Sequence, residues 1–419
     1  MKFNHARVAG LLVAVVALCF VAAPSPAAAS TATQWNEIAA NALINNIAAP
    51  RNAPPVAAIH LAMVHGAMYD AVNAIDGGYT PYLSSPAATP FDSQAAAAAT
   101  AAYDVLLNIS SGLQGVIQPA YDATLNGIPN GMAKTQGIAI GHAAATAMIN
   151  ARAGDGRYGA PGFPVPANPQ PGEWRPVLPA FVNDPNGWVR FVTPFVIEHA
   201  SDFRTKGPHS MTSPQYTAEF NEVKLLGASD STRRTQSQTN VSMYWGNANP
   251  VGTWNRITRM MDNRLGLSNA DAARLYAELN MSAADAFIAV WDDKAFWGFW
   301  RPITAIREAL SDGNPDTAPR GDWLPLLPTP PYPDHPSGHL GLDGAVVETL
   351  QEWFGDKEGW TDTAAGQTVS YNRFSDALNE LVSVRVWSGL HFRNADEQAA
   401  KLGKEVAKWR KHHWFKKAH

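Results

Sequence analysis

The chain has 419 residues, 46% of them hydrophobic and 16% charged, with a formal net charge of −4. That length and apolar content support a large buried core and exclude an intrinsically disordered chain. The small negative charge excludes global attraction to nucleic acid or an anionic membrane, so any anion site must be local.

Lys2, His5 and Arg7 form a basic start, Val8 to Ala23 is an apolar stretch short for a membrane span, and Ala27-Ala28-Ala29 offers small residues for cleavage. Residues 1–29 therefore read as a secretory signal, with a mature chain beginning near Ser30 and a secreted or extracytoplasmic destination. Cys19, the single cysteine, lies inside that signal, so the mature chain is expected to use neither disulfides nor thiolate chemistry. No later apolar run reaches about 18 residues, and no membrane span is expected after signal removal.

Residues 30–419 read as one all-α domain: an N-terminal bundle over about 30–155, a Pro/Gly-rich loop over about 156–211 and a site-bearing C-terminal bundle over about 212–419. Ala-rich segments at 36–50, 55–76, 92–112 and 133–153 repeat apolar residues at three- and four-residue spacing, which predicts helices. His60 and His65, five apart, cannot share a helical face and read as core histidines. The Pro/Gly-rich passage carries Trp174 and Trp188, which argues for a packed loop, either a cover or a lid, over a disordered tether. Helical texture resumes at 213–226, 232–244 and 268–293, a second Pro-rich passage covers 314–336, and helices are expected at 338–354, 363–387 and 394–411. No strand alternation stands out. The basic end, Lys404 to His419, reads as a solvated helix end or fraying tail.

Three short motifs carry chemistry. Lys294 and Arg301 are seven residues apart, about two helical turns, and Pro302 follows as a natural first residue of the next helix. Pro336-Ser337-Gly338-His339 precedes a predicted helix, whose free amides and dipole cradle an oxyanion, with the Ser337 hydroxyl and a titratable His339 beside them. Arg385 and His391 flank a break at Ser388-Gly389, and Asn394 with Glu397 reads as the capping pair of the following helix. Taken singly, the first motif equally suits cation-π packing or a solvated face, the second an ordinary N-cap, and the third an interhelical salt bridge.

Jointly, Lys-six residues-Arg-Pro, Pro-Ser-Gly-His and Arg-five residues-His resemble the vanadium-dependent haloperoxidases and the acid phosphatases of the type 2 phosphatidic acid phosphatase superfamily, over about residues 290–400. The resemblance implies that His391 binds the metal of vanadate through one ring nitrogen. It also implies that Lys294, Arg301, Ser337, Gly338, His339 and Arg385 form the rest of the cofactor site, with His339 as acid/base and Lys294 and His391 also catalytic. The chain departs from the family at Val384, where serine is common, and at Ala395, where an acidic residue is expected four after the axial histidine; Asp396 is one further on. Tyr332 stands where halogenating members show Phe or His.

On the haloperoxidase reading, hydrogen peroxide forms a peroxo species on vanadate that Lys294 polarises, halide attacks it, and hypohalous acid or a halogenated organic substrate results. On the phosphatase reading, phosphate occupies the same pocket, His391 becomes transiently phosphorylated and His339 protonates the leaving alcohol. Phe299-Trp300, where phosphatase members carry a further Arg, favours the first. A non-catalytic oxyanion binder is the third reading. No nucleophile elbow, His-Glu-x-x-His, Walker loop or dinucleotide fingerprint is present. Oligomeric state is not readable from these residues.

Overall fold

The computed structural model describes residues 29–418, so the secretory-signal reading falls, apart from Ala29, outside the described residues. Regular structure among them consists of thirteen α-helices and one two-stranded hairpin. The first five helices are α1 (Thr31–Asn45), α2 (Pro54–Asp76), α3 (Gln94–Ile109), α4 (Gln114–Asn126) and α5 (Met132–Ala151). Ser30 and Ser93 cap α1 and α3 by accepting backbone N–H groups, and proline opens α2. The Ala-rich run of α3 is buried against α2 and α5, where small side chains let helix axes approach closely.

The remaining helices are α6 (Pro214–Leu226), α7 (Gln236–Asn247), α8 (Pro250–Leu265), α9 (Asn269–Trp297), α10 (Pro302–Arg307), α11 (Gly338–Phe354), α12 (Phe374–Trp387) and α13 (Arg393–His413). At 29 residues, α9 is about 43 Å long. It packs along α2 on one side and along α11 and α13 on the other. A single buried cluster consequently takes side chains from both bundles, while a smaller one around Trp300, Ile306, Trp323 and Phe392 lies beside the three motifs. Burying one Val, Leu or Phe side chain contributes roughly 1.5–3 kcal/mol, well above helix-propensity differences, so this packing fixes the helices.

Residues 156–211 form an irregular, packed layer with two short 3₁₀ turns and buried Trp174 and Trp188. The layer is tied to α9: Asp285 accepts the N–H groups of Phe195, Val196 and Ile197 at 2.6–2.9 Å, and Asp293 accepts from Thr205 N and Oγ1. These bonds satisfy loop amides and buried carboxylates together.

Several expectations need correction. Residues 363–373 are not helical: β1 (Trp360–Ala364) pairs antiparallel with β2 (Gln367–Tyr371), and α12 starts at Phe374. Ala365 and Gly366, both at positive φ, form the turn, and buried Trp360, Asp362, Val369 and Tyr371 alternate with exposed residues. Helices α4 and α8 were not anticipated, and α1 begins five residues earlier than the apolar spacing placed it, at its Ser30 cap. Asn394 is not the cap of α13; Phe392 is, and the Asn394 amide donates instead to Gly207 O at 3.1 Å. Arg410 is no tail residue: it is buried and pairs with Glu278 and Glu352 at 2.6 and 2.7 Å.

Candidate active site

The helix carrying Lys294 does not persist to the proline. It stops at Trp297, with Gly298 left-handed, and the chain runs extended to Arg301, the N-cap residue of α10, with Pro302 at its first position. The two cations still meet, because both fasten onto the loop before Ser337. Lys294 Nζ donates to the carbonyls of Pro333 and Asp334 at 2.6 and 3.0 Å, and Arg301 Nε donates to Tyr332 O at 2.8 Å. The Tyr332 ring has Lys294 Nζ and the Arg301 guanidinium carbon each 4.9 Å from its centroid, a cation-π arrangement.

Ser337 is the N-cap of α11, its backbone N–H held by Ala395 O at 3.0 Å. A side chain at Gly338 would place Cβ 2.8 Å from the Trp291 ring, so the helix entrance needs glycine to lie against that tryptophan. Arg385 occupies the last turn of α12. Beyond it, Gly389 at φ +76° turns the chain where a Cβ would stand 2.5 Å from Gly227 O, and Leu390 N–H returns to Arg385 O at 3.1 Å. His391 follows, and Arg301 Nη1 donates to Leu390 O at 2.8 Å and lies 3.2 Å from His391 Nε2.

The structure thus brings all seven residues of the three motifs to one place. Lys294, Arg301 and Ser337 are fully buried, and His391 and Arg385 nearly so. Burial first, and then the cations of Arg301, Lys294 and Arg385, push His391 well below the usual imidazole range. Burial, and next Arg301, likewise lowers the Lys294 ammonium far below its ordinary value. His339 is lowered by burial and by Arg385. Positive charge is crowded here, opposed only by buried carboxyls that burial itself pushes toward the neutral form.

Three carboxylates complete the surroundings: Asp396, noted in the sequence one position beyond the expected one, and Asp334 and Asp343, which the motif reading missed. Asp334 Oδ1 is 2.8 Å from His391 Nδ1 and 3.8 Å from Arg301 Nη1. Burial raises Asp334 to about 7 against the opposing pull of Arg301 and Lys294. Asp343 Oδ2 is 3.6 Å from His339 Nε2, and its other oxygen accepts from Trp254 Nε1 at 2.7 Å; burial raises it to about 8. Asp396, fully buried and raised by burial, lies beside Ser337 and Arg385 without a well-formed hydrogen bond among the described residues. Asp343 was legible, one helical turn after His339 on a predicted helix. Asp334 sits in an irregular loop where spacing says nothing about direction.

A cavity of about 190 Å³ reaches this place, with Trp291, Tyr332, Gly338, His339 and Arg385 at its inner end and Pro54, Gly246 and Pro250 toward the outside. Arg301 Nη2 and Arg385 Nε are buried without an acceptor among the described residues. A donor set of guanidinium, ammonium, hydroxyl and helix-start groups suits an oxyanion, and one imidazole nitrogen suits a metal centre inside that oxyanion. The residues therefore fit vanadate.

The family model described as the VCPO second helical-bundle domain matches residues 274–417. A vanadium chloroperoxidase of Curvularia inaequalis is 26% identical over an alignment covering 82% of this chain and 69% of that one. The fold of a bacterial vanadium-dependent iodoperoxidase superposes with a TM-score of 0.80 at 22% identity, covering 94% of this chain and 99% of the other. An apo bacterial vanadium-dependent chloroperoxidase gives 0.69 at 16% identity, covering 87% and 93%.

Residues 274–417 match the VCPO second helical-bundle domain, and the chain as a whole is similar to vanadium haloperoxidases.

The matched segment begins inside α9 and contains all three motifs. The long helix that touches both bundles thereby also delivers Lys294 to the site.

Proposed function

We propose that the mature chain is a secreted or extracytoplasmic haloperoxidase that uses vanadate. Halide, hydrogen peroxide and one proton give hypohalous acid and water. The observation that carries this reading is the pair of buried guanidinium nitrogens, Arg301 Nη2 and Arg385 Nε, that lack an acceptor among the described residues, close to the His391 imidazole. Lys294, Arg301, Ser337, Gly338, His339 and Arg385 would hold the oxygens of vanadate and His391 its metal; phosphate, nearly isosteric, competes for the same cradle. Bound vanadate supplies a Lewis-acidic centre that activates peroxide toward halide.

The chain's own groups do the remaining work. Lys294, Arg301 and Arg385 concentrate positive charge in a buried space, where it acts on an anion far more strongly than in water. The Tyr332 and Trp291 rings, 5.0 Å apart, narrow the inner end of the cavity and exclude water there. His339 lines the cavity with Asp343 behind it, so this pair can deliver the proton that the reaction consumes and take up another from solvent.

The test starts from purified apo protein. Orthovanadate is added, and oxidation of iodide, bromide and chloride by peroxide is followed beside phosphate-ester hydrolysis. The expected result is vanadate-dependent halide oxidation, lost in His391→Ala and competed by phosphate. Ester hydrolysis that vanadate inhibits, without halide oxidation, would reassign the pocket to an acid phosphatase using a phosphohistidine. For the export signal, mass spectrometry of protein secreted by a bacterial host should find a start near Ser30.

A further inference from the structure

We infer that Asp334 is the positioning residue of His391: it takes the hydrogen bond of Nδ1–H and so leaves Nε2 as the unprotonated nitrogen, its lone pair turned toward Arg301. The two ring nitrogens have opposite partners. Nδ1 is 2.8 Å from Asp334 Oδ1, which only accepts when the carboxyl is ionised, above about pH 7. Nε2 is 3.2 Å from Arg301 Nη1, which only donates. One neutral tautomer satisfies both contacts, the one protonated on Nδ1. The same guanidinium nitrogen is 3.4 Å from Nδ1, but the carboxylate is closer and is the only acceptor there among the described residues.

Asp334 is held firmly enough to impose this choice. Its carbonyl and that of Pro333 receive Lys294 Nζ, its own N–H donates to Phe299 O at 2.9 Å, and neighbouring Tyr332 O receives Arg301. The cations expected to grip the oxyanion thus also lash down the loop that orients the imidazole. The residue four after His391 is Ala395, whose side chain has no acceptor to offer, and Asp396 lies beside Ser337 and Arg385 instead. An aspartate from a different segment fills that role here. A carboxylate on the far nitrogen fixes ring orientation and raises ligand basicity, and losing such a partner typically lowers metal affinity about 10- to 100-fold.

What Nε2 binds rests on the vanadate reading above, whereas the tautomer does not. The experiment therefore has two readouts. Nitrogen-15 NMR of histidine-labelled, vanadate-free protein, with His391 assigned by the signals absent from His391→Gln, should show a neutral ring protonated on Nδ1. Vanadate titration followed by calorimetry should then give an affinity about 10- to 100-fold weaker in Asp334→Asn, with partial recovery in Asp334→Glu. A wild-type His391 protonated on Nε2 overturns the inference without any variant needing to fold. So does an Asp334→Asn protein that folds, keeps the wild-type His391 spectrum and binds vanadate as tightly as wild type. If wild-type protein binds no vanadate while the Nδ1–H tautomer is present and lost in Asp334→Asn, the cofactor reading fails and the positioning role stands.

Discussion

Asp343 lies one helical turn beyond His339 on the same face of α11, with Oδ2 3.6 Å from His339 Nε2 and Oδ1 fixed by the Trp254 indole. Burial raises the aspartate to about 8 and lowers the histidine, so at neutral pH the pair holds one proton, on the carboxyl side. Halide oxidation consumes a proton, and activity is expected to fall as pH rises through about 8. Asp343→Asn should remove that alkaline limb and lower kcat roughly 10- to 100-fold, leaving vanadate affinity within a few-fold. Steady-state pH profiles at saturating vanadate measure this, and an unchanged limb in the variant refutes the assignment.

Arg385 has a buried Nε without an acceptor, and burial lowers the pKa of its guanidinium. In vanadate-free protein its charge is offset only in part, by Asp396 and Asp343, so Arg385→Met should raise the apo melting temperature. The same variant should lose about 1.5–3 kcal/mol of oxyanion binding, the worth of a charged hydrogen bond. Arg385→Lys should recover only part of it, since ammonium lacks the planar fork. Thermal melts with and without vanadate report both effects, because a ligand at 100 times its Kd stabilises by about 2.7 kcal/mol.

The break between Arg385 and His391 depends on Gly389. An alanine there meets both an unfavourable positive φ and the Gly227 carbonyl 2.5 Å from its Cβ. Gly389→Ala should cost roughly 1–3 kcal/mol of stability and weaken vanadate binding, because α12 can no longer turn so sharply toward His391. Urea melts and vanadate titration check the pair of effects; binding preserved beside lost stability would show that the turn serves folding alone.

His60 and His65 are fully buried in α2 and their pKa values are lowered to about 3, by burial first and then by Arg157 for His60 and Arg259 for His65. Unfolded, they titrate near 6.5, so between those values the unfolded chain binds protons that the folded chain refuses. Their contribution is therefore complete above about pH 6.5 and lost as pH falls toward 3. Each histidine adds about 1.4 kcal/mol per pH unit to the slope in that window. Urea melts from pH 7 to 5 should show a slope that His65→Gln reduces by that amount.

The helices around the site were legible because their apolar spacing and caps are local properties: Ser337 before Gly338 announces α11, and Ser388-Gly389 announces the end of α12. Their convergence was legible only through the joint spacing of three motifs, each ambiguous alone. The hairpin was missed because Thr363 to Tyr371 was read as the start of a helix that begins at Phe374, whereas packing of Trp360 and Tyr371 selects strands. Asp334 was missed for a different reason. Its pairing with His391 spans 57 positions of sequence and follows from loop geometry that no periodicity encodes.

The passage to the site is bordered by Pro54, Pro55, Gly246, Ala248 and Pro250 outside and by aromatic rings within, and none of its lining residues among those described carries sulfur. In the proposed reaction the departing product is itself an oxidant, for which thiols and thioethers are vulnerable targets. The lining therefore sends that product outward past a wall with no cysteine or methionine to intercept it, which removes its fastest side-chain targets from the path.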